Sequence, residues 1–218
     1  MGDRRFSDEV IDENREAWDA MQTHRFVQDI QEDRLSPAVF HRYLAYESAF
    51  VETAISIFGH LLVKAPGLPE QRWLVGVLKA LSEEQIAYFD EAFREIGLAE
   101  SGLRGLALPM PVVVFQKSML AFAAHGPYVE GVAAMFAAEW MYWHWCRKAA
   151  SRRISDPALR RWVDLHAAEG FEAQARWLKQ QIDAAGETLD RAGRRRVSSV
   201  FGLALRLEID FHHAAYSA

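Results

Sequence analysis

Apolar residues recur every three to four positions through most of this 218-residue chain, and no segment keeps the strict alternation of a β-strand. This periodicity predicts an all-α protein of about eight helices. Ser36-Pro37 and Ser155-Asp-Pro157 mark two helix starts, because serine caps a helix and proline fits its first turn. The predicted helices cover 7–21, 24–31, 36–64, 70–96, 112–124, 130–146, a segment from 157 with an interruption near 169–170, and 194–215.

Glycine and proline separate these helices. Residues 65–69 (Ala-Pro-Gly-Leu-Pro) break the chain between the third and fourth predicted helices, and Gly97 ends the fourth. Residues 98–111 contain two glycines and two prolines and form the longest predicted loop. We find no repeat, low-complexity tract or interdomain linker, so we expect residues 1–218 to form a single domain.

The segment from Glu130 to Cys146 is the predicted helix around which the others are expected to pack. It contains three tryptophans and a tyrosine, and it has no Gly or Pro after Gly131. Glu139 lies in the middle of this apolar run. Burial of an unpaired carboxylate is costly, so Glu139 either has a polar partner or takes part in chemistry.

Composition limits the classes of function. Half of the residues are apolar and a quarter are charged, as in an ordinary globular protein, and the net charge of −5 argues against nucleic-acid binding through a basic surface. A single cysteine excludes an internal disulfide and fits a reducing cytoplasm. We recognise neither a signal peptide nor an apolar run of about 18 residues. We therefore expect a cytoplasmic protein without nucleic-acid or membrane partners.

Four ionisable side chains lie within apolar stripes of four different predicted helices, where they point toward the core. They are Glu47, Glu139, His166 and Glu208. Each one alone is explained by pairing with a buried Tyr, Trp or His. Together, in a chain rich in aromatic residues, they indicate a shared ligand site. Desolvation in such a pocket raises the pKa of a glutamate, which suits a general acid or base near neutral pH.

Three segments resemble motifs of the TenA/thiaminase II family, which has a haem-oxygenase-like helical fold. Residues 23–44 resemble the family's N-terminal motif, in which a Leu-Ser pair is followed by an F-x-x-Y sequence. Residues 130–146 are similar to its P-C-x-W-x-Y segment, and residues 208–216 are similar to its E-x-x-F-W-x-M-A-Y segment. The resemblance extends from Trp18 to Ala215, and it implies a single-domain, haem-oxygenase-like bundle.

The resemblance places the family's site on residues of this chain, with several differences. The family's catalytic Cys falls on Ala138, which offers no thiolate for nucleophilic attack. A second branch of the family lacks that Cys and carries a glutamate beside its position, as Glu139 does here. The other site positions fall on Glu47 in place of Asp, on Phe50, Phe115 and His166 in place of Tyr, and on Tyr142 and Glu208, which are kept.

That branch is linked to thiamin salvage, and the resemblance implies a hydrolase that removes an amino or formylamino group from an aminopyrimidine. Glu139 and Glu208 are the predicted catalytic pair: one would act as general acid or base, and the other, with Glu47, would bind the N–H groups of the ring. His166 implies a changed substrate edge or proton donor. The expected aromatic walls are Phe50, Phe115, Tyr142 and Trp140 or Trp143.

Two other functions stay open at this stage. Relatives on the same fold bind two irons through Glu and His, and Glu47, Glu139, Glu208 and His166 are candidate ligands, although their spacing differs from that of those relatives. The second alternative is a non-catalytic ligand-binding or regulatory protein, since members of the family carry a transcriptional-regulator label. For the hydrolase we expect no metal and no other cofactor. The resemblance also implies a homodimer or homotetramer.

Overall fold

The computed structural model describes residues 5–98 and 107–217, and no strand occurs in either range. The prediction of an all-α protein is confirmed. The helices are α1 (Phe6–Glu13), α2 (Arg15–Gln22), α3 (Arg25–Gln31), α4 (Pro37–Lys64), α5 (Leu68–Ala80), α6 (Ile86–Glu95), α7 (Met110–His125), α8 (Tyr128–Ala150), α9 (Pro157–Ala167), α10 (Glu169–Gly186) and α11 (Arg191–Ala214).

Some helix boundaries differ from the predicted ones. The first predicted helix is divided at Asn14, whose side-chain amide donates to the carbonyl oxygens of Val10 and Ser198. The fourth begins at Leu68 and contains a π-helical turn, Leu81–Gln85, which joins α5 directly to α6. Both α8 and α11 begin earlier than predicted, and residues 99–106 of the long predicted loop lie outside the described residues.

The α8 helix is the centre of the bundle. Every residue from Gly131 to Ala138 is buried, and the main packing partners of α8 are α11, α10, α9 and α7. A helix that is apolar all round is expected to be buried on all sides, and α8 fits this description. The prediction that the other helices pack around this segment is confirmed.

None of the helices within residues 5–98 and 107–217 is long and apolar enough to cross a membrane. The organisation of residues 1–218 as one domain stays a prediction.

Gly131 allows α8 to approach α4 and α7 closely. A Cβ atom at this position would lie 2.7 Å from Leu61 Cδ2 and 3.0 Å from the backbone Cα of Ala123. We expect Gly131→Ala to lower the free energy of unfolding by about 1–2 kcal/mol, because the cost of overpacking exceeds the better helix propensity of alanine. Urea unfolding followed by circular dichroism measures the change.

The matched control is Gly59→Ala in α4, where no heavy atom lies within 4 Å of the added Cβ. Alanine is expected to raise the free energy of unfolding there by up to about 1 kcal/mol, because it has the higher helix propensity. Stabilisation by both substitutions would contradict the close packing of α8 at Gly131.

Candidate active site

The four candidate side chains line one cavity, which has a volume of about 630 Å³. This volume lies within the range of roughly 300–1,000 Å³ that is typical of small-molecule sites. Glu47 from α4, Glu139 from α8, His166 from α9 and Glu208 from α11 all contribute to its wall. Helical spacing predicts that these residues lie on the inward faces of separate helices. In the fold, their side chains border the same cavity.

Aromatic side chains form much of the remaining wall. The Phe50, Phe115 and Tyr142 side chains line the cavity. The ring centroids of Phe50 and Phe115 are 4.8 Å apart, and Phe115 also packs on Phe211 at 4.9 Å. Phe211 and Phe171 are further lining residues. Such a wall offers flat apolar surfaces that suit a planar heterocyclic ring.

Trp140 does not line the cavity, so the prediction that it forms an aromatic wall is wrong. Trp140 follows Glu139 directly, and adjacent positions of a helix point about 100° apart. Its ring packs instead on Phe136 and Trp143, with centroid distances of 5.8 and 4.8 Å. Trp143, the alternative to Trp140, also lies outside the cavity lining.

Glu47 is held by two residues of α9. Its Oε2 accepts a hydrogen bond from Trp162 Nε1 at 2.7 Å, and its Oε1 lies 3.4 Å from His166 Nε2. His166 Nδ1 lies 2.9 Å from the Trp162 carbonyl oxygen, and a carbonyl only accepts, so Nδ1 is the donor. The Nε2 atom is thus the ring nitrogen that faces the Glu47 carboxyl group.

Glu208 is buried next to two tyrosines. The hydroxyl oxygen of Tyr142 lies 3.5 Å from Glu208 Oε2 and 2.7 Å from the hydroxyl oxygen of Tyr43. Burial raises the pKa of Glu208 well above its ordinary value, the charge of Glu47 adds to the rise, and the hydrogen bond from Tyr142 opposes it. The protonated form of Glu208 is therefore favoured, which prepares this carboxyl group to donate a proton.

Glu139 lies outside this hydrogen-bonded group. Burial raises its pKa to about 8, and a hydrogen bond from the Gln174 side chain opposes the rise. The Oε2 atom is fully buried, whereas the residue as a whole is half-buried because it faces the cavity. At neutral pH this carboxyl group is mostly protonated.

Several residues that line the cavity, or contact those that do, were not predicted from the sequence. For Gln174 a signal exists, because it lies between Phe171 and Leu178 at helical spacing and is thus a polar residue on an apolar face. Tyr43 lies one turn before Glu47, within the motif that supports the family resemblance. For Trp73 we find no signal, because it is an exposed residue that follows the polar Gln71 and Arg72.

The side chains do not fit the diiron alternative. Within residues 5–98 and 107–217, no three or more His, Cys, Asp or Glu residues are grouped so that they could hold a metal ion. Glu47 and His166 approach each other closely, whereas Glu139 lies beside Gln174. The four candidate ligands therefore do not converge on one point.

The sequence model that describes the TENA/THI-4/PQQC family matches residues 11–218. This chain belongs to that family. The predicted relation to the TenA/thiaminase II proteins is confirmed, and the family match covers the motifs at residues 23–44, 130–146 and 208–216.

Proteins similar to this chain differ widely from it in sequence, and the solved structures among them differ little from it in fold. An aminopyrimidine aminohydrolase of Halalkalibacterium halodurans is 21% identical over 214 residues, which cover 97% of this chain and 96% of that protein. The structure of a TenA family transcription regulator from Silicibacter sp. TM1040 superposes with a TM-score of 0.90 at 18% identity, covering 98% of this chain and 97% of that one. A protein of Shewanella denitrificans with a haem-oxygenase-like fold superposes with a TM-score of 0.74 at 12% identity, covering 95% of this chain and 90% of the other. The predicted haem-oxygenase-like fold is confirmed.

Proposed function

We propose that this chain is a TenA-like hydrolase of thiamin salvage, which removes an amino or formylamino group from an aminopyrimidine without a cysteine nucleophile. The observation that carries the proposal is that two buried carboxyl groups, Glu47 and Glu208, line one aromatic-walled cavity. Ala138, on which the resemblance places the family's Cys, lines the same cavity. The aminopyrimidine aminohydrolase that is similar along 97% of the chain supports the substrate class.

In this proposal each side chain has a role in the reaction. Phe50 and Phe115, which pack on each other with ring centroids 4.8 Å apart, together offer an apolar surface against which the ring would lie. The carboxylate oxygens of Glu47 would accept hydrogen bonds from the ring N–H groups, and Glu47 with the neighbouring His166 would take the proton of an attacking water. Glu208, in its protonated form, would donate a proton to the departing nitrogen. Tyr142 would hold the Glu208 carboxyl group in place.

The direct test is a panel that contains an aminopyrimidine and its N-formyl derivative, with loss of substrate followed by chromatography. We expect turnover of at least one of the two, and we expect it to survive dialysis against a chelator. Loss of turnover after dialysis, with recovery on addition of one metal, would favour the diiron alternative. Ligand-induced thermal stabilisation without turnover of either compound would contradict the hydrolase and would favour a non-catalytic binding protein.

We also propose that the chain acts in the cytoplasm as a homodimer or homotetramer. The family resemblance supports the oligomer, and the free, buried Cys146 is compatible with a reducing compartment. Sedimentation at micromolar protein concentration tests the oligomeric state, and a monomer at that concentration would contradict it.

A further inference from the structure

The hydroxyl groups of Tyr43 and Tyr142 form a short chain that leads to the Glu208 carboxyl group. Their oxygen atoms are 2.7 Å apart, and the Tyr142 oxygen lies 3.5 Å from Glu208 Oε2. Tyr142 and Glu208 line the cavity, whereas Tyr43 is fully buried on α4 and does not. A substrate in the cavity would therefore not touch Tyr43, and an effect of Tyr43 on the reaction has to pass through Tyr142.

The direction of the hydrogen bonds in this chain depends on the charge of Glu208. An ionised carboxyl group only accepts hydrogen bonds, and a tyrosine hydroxyl group has a single proton to donate. When Glu208 is ionised, Tyr142 gives its proton to that hydrogen bond, so the proton between the two tyrosines has to come from Tyr43. The Tyr43 hydroxyl group has no other hydrogen-bond partner among the described residues. The hydrogen bonds then run from Tyr43 through Tyr142 to Glu208.

The contact with Tyr43 determines where the hydroxyl proton of Tyr142 points. The distance of 3.5 Å between Tyr142 and Glu208 is long for a hydrogen bond, so this bond depends strongly on the direction of the proton. Donation from Tyr43 excludes the orientation of the proton toward Tyr43 and leaves it for Glu208. A hydrogen bond that Tyr142 receives also polarises its hydroxyl group and makes it a stronger donor.

Among the described residues, those of α4 and α11 do not neutralise a negative charge on Glu208. On α4, the charge of Glu47 raises the pKa of Glu208 further. On α11, His212 Nδ1 lies 3.6 Å from Glu208 Oε2, but it donates to the Glu208 carbonyl oxygen at 2.7 Å. Burial, together with the neighbouring His24, lowers the pKa of His212 to about 3, so this imidazole is neutral at neutral pH.

The other helices near Glu208 add no compensating charge from their described residues. His166 on α9 directs its Nε2 atom at Glu47 Oε1, which is 3.4 Å away. No charged residue of α7 lines the cavity, and none of the charged residues of α1 and α2, which also pack on α11, is buried. The Tyr142 hydroxyl group is therefore the group best placed to stabilise a carboxylate at Glu208.

We propose that Tyr43 is a positioning residue that acts on Glu208 through the hydroxyl group of Tyr142. The inference rests on the proposed hydrolase function and deepens it, because it names a residue outside the cavity that adjusts the acidity of the proton donor. Burial raises the pKa of both tyrosines well above the ordinary value, so both stay protonated and act as hydrogen-bond donors.

The step that Tyr43 assists is the transfer of one proton. The O–H bond of Glu208 breaks, an N–H bond forms on the departing nitrogen, and each tyrosine keeps its own proton. A carboxylate is then left in a buried site, where the Tyr142 hydroxyl group donates to it. Hydrogen bonds to a charged group are stronger than those between neutral groups, so the chain favours the ionised product of this step.

The first test is Tyr43→Phe, which removes the hydroxyl group and keeps the ring. With an aminopyrimidine substrate, kcat is expected to fall about 3–10-fold and KM to stay within about twofold, because the carboxylate of Glu208 is less well stabilised. The alkaline limb of the pH profile of kcat, which reports the loss of the Glu208 proton, should move upward by about 0.5–1 pH unit. The matched control is Tyr128→Phe on α8, which removes a hydroxyl hydrogen bond to Gln181 outside the cavity lining and should change neither quantity.

The second test determines whether Tyr43 acts through Tyr142. Tyr142→Phe is expected to lower kcat by at least as much as Tyr43→Phe. The double variant should have the kcat of Tyr142→Phe within about twofold, because the hydroxyl group that Tyr43 positions is already absent. Losses that multiply in the double variant would overturn the inference and would mean that Tyr43 only supports the packing of the bundle. Thermal unfolding of each variant measures retention of the fold.

Infrared spectroscopy follows the ionisation of Glu208 without turnover and separates this inference from the proposed function. The carbonyl band of protonated Glu208 is identified by its absence in Glu208→Gln. The pH at which this band is half lost is expected to be about 0.5–1 unit higher in Tyr43→Phe than in the unmodified protein. An unchanged midpoint would overturn the inference even where aminopyrimidines are hydrolysed. A raised midpoint in a protein that hydrolyses no aminopyrimidine would support the action of Tyr43 on Glu208 and contradict the hydrolase.

Discussion

Replacement of Glu208 by glutamine is expected to lower hydrolysis of the aminopyrimidine substrate by about 10²–10⁴-fold, which is the usual contribution of a general acid or base. The amide of glutamine has the shape of a protonated carboxyl group but cannot transfer the proton. Burial and the charge of Glu47 already favour the protonated form of Glu208, so the neutral substitute should fit the same space. Steady-state kinetics measure the loss of activity, and circular dichroism measures retention of the fold.

Asp210→Asn is the matched control for this substitution. It removes the same type of charge from the same helix, but Asp210 is exposed and does not line the cavity. Its kcat should stay within about twofold of that of the unmodified protein. Full activity of Glu208→Gln, or an equal loss in the two variants, would contradict the role of Glu208 as a proton donor.

In the proposed hydrolase, Ala138 stands where the resemblance places the family's cysteine, and this changes what the remaining side chains would have to do. A cysteine nucleophile would form a covalent intermediate, and Ala138 cannot. Water then has to be the nucleophile, which requires a group that accepts its proton and a second group that protonates the departing nitrogen. In the proposed reaction, Glu47 with the neighbouring His166 would accept the proton of the water, and Glu208, whose pKa is raised by burial, would protonate the departing nitrogen.

Much of the fold follows from the sequence because burial dictates the pattern of apolar residues. Residues 130–146 are apolar on every side, and α8 is correspondingly surrounded by other helices. Glu47, Glu139, His166 and Glu208 interrupt apolar stripes, and helical spacing alone is enough to predict that they point into the bundle. The division at Asn14 does not follow from helical spacing, because it depends on a contact with the distant Ser198. The π-helical turn at Leu81–Gln85 does not follow from spacing either, because it contains one additional residue in a helical turn.

The partners of the site residues could not be predicted, because helical spacing gives the face of a residue and not its neighbours. Trp140 is an aromatic residue of the kind that lines pockets, yet its position next to Glu139 in the helix directs its side chain toward Phe136 and Trp143. Nothing in the pattern of polar and apolar residues marks Trp73, and its hydrogen bond to Gln174 depends on the approach of α5 to α10. Contacts of this kind join residues that are far apart in the sequence, and a single sequence carries no direct signal of them.

The stability of the Glu139→Gln variant relative to the unmodified protein is expected to rise with pH. Burial raises the pKa of Glu139 from an ordinary value of 4.5 to about 8 in the folded protein, so folding favours the protonated form. The cost of ionising it is absent below pH 4.5, grows between pH 4.5 and 8, and is complete above pH 8. This rise in pKa corresponds to at most about 5 kcal/mol, and the variant avoids the cost.

Urea unfolding of both proteins at pH 5, 7 and 9 measures the effect as the difference between their free energies of unfolding. We expect a small difference at pH 5, an intermediate one at pH 7 and the largest stabilisation of the variant at pH 9, because only the unmodified protein must ionise a buried carboxyl group. The control is Glu52→Gln on the exposed face of α4, which should show no comparable trend. A difference for Glu139→Gln that does not change with pH would mean that Glu139 is ionised in the folded protein at pH 7, and it would then not be a donor in the cavity.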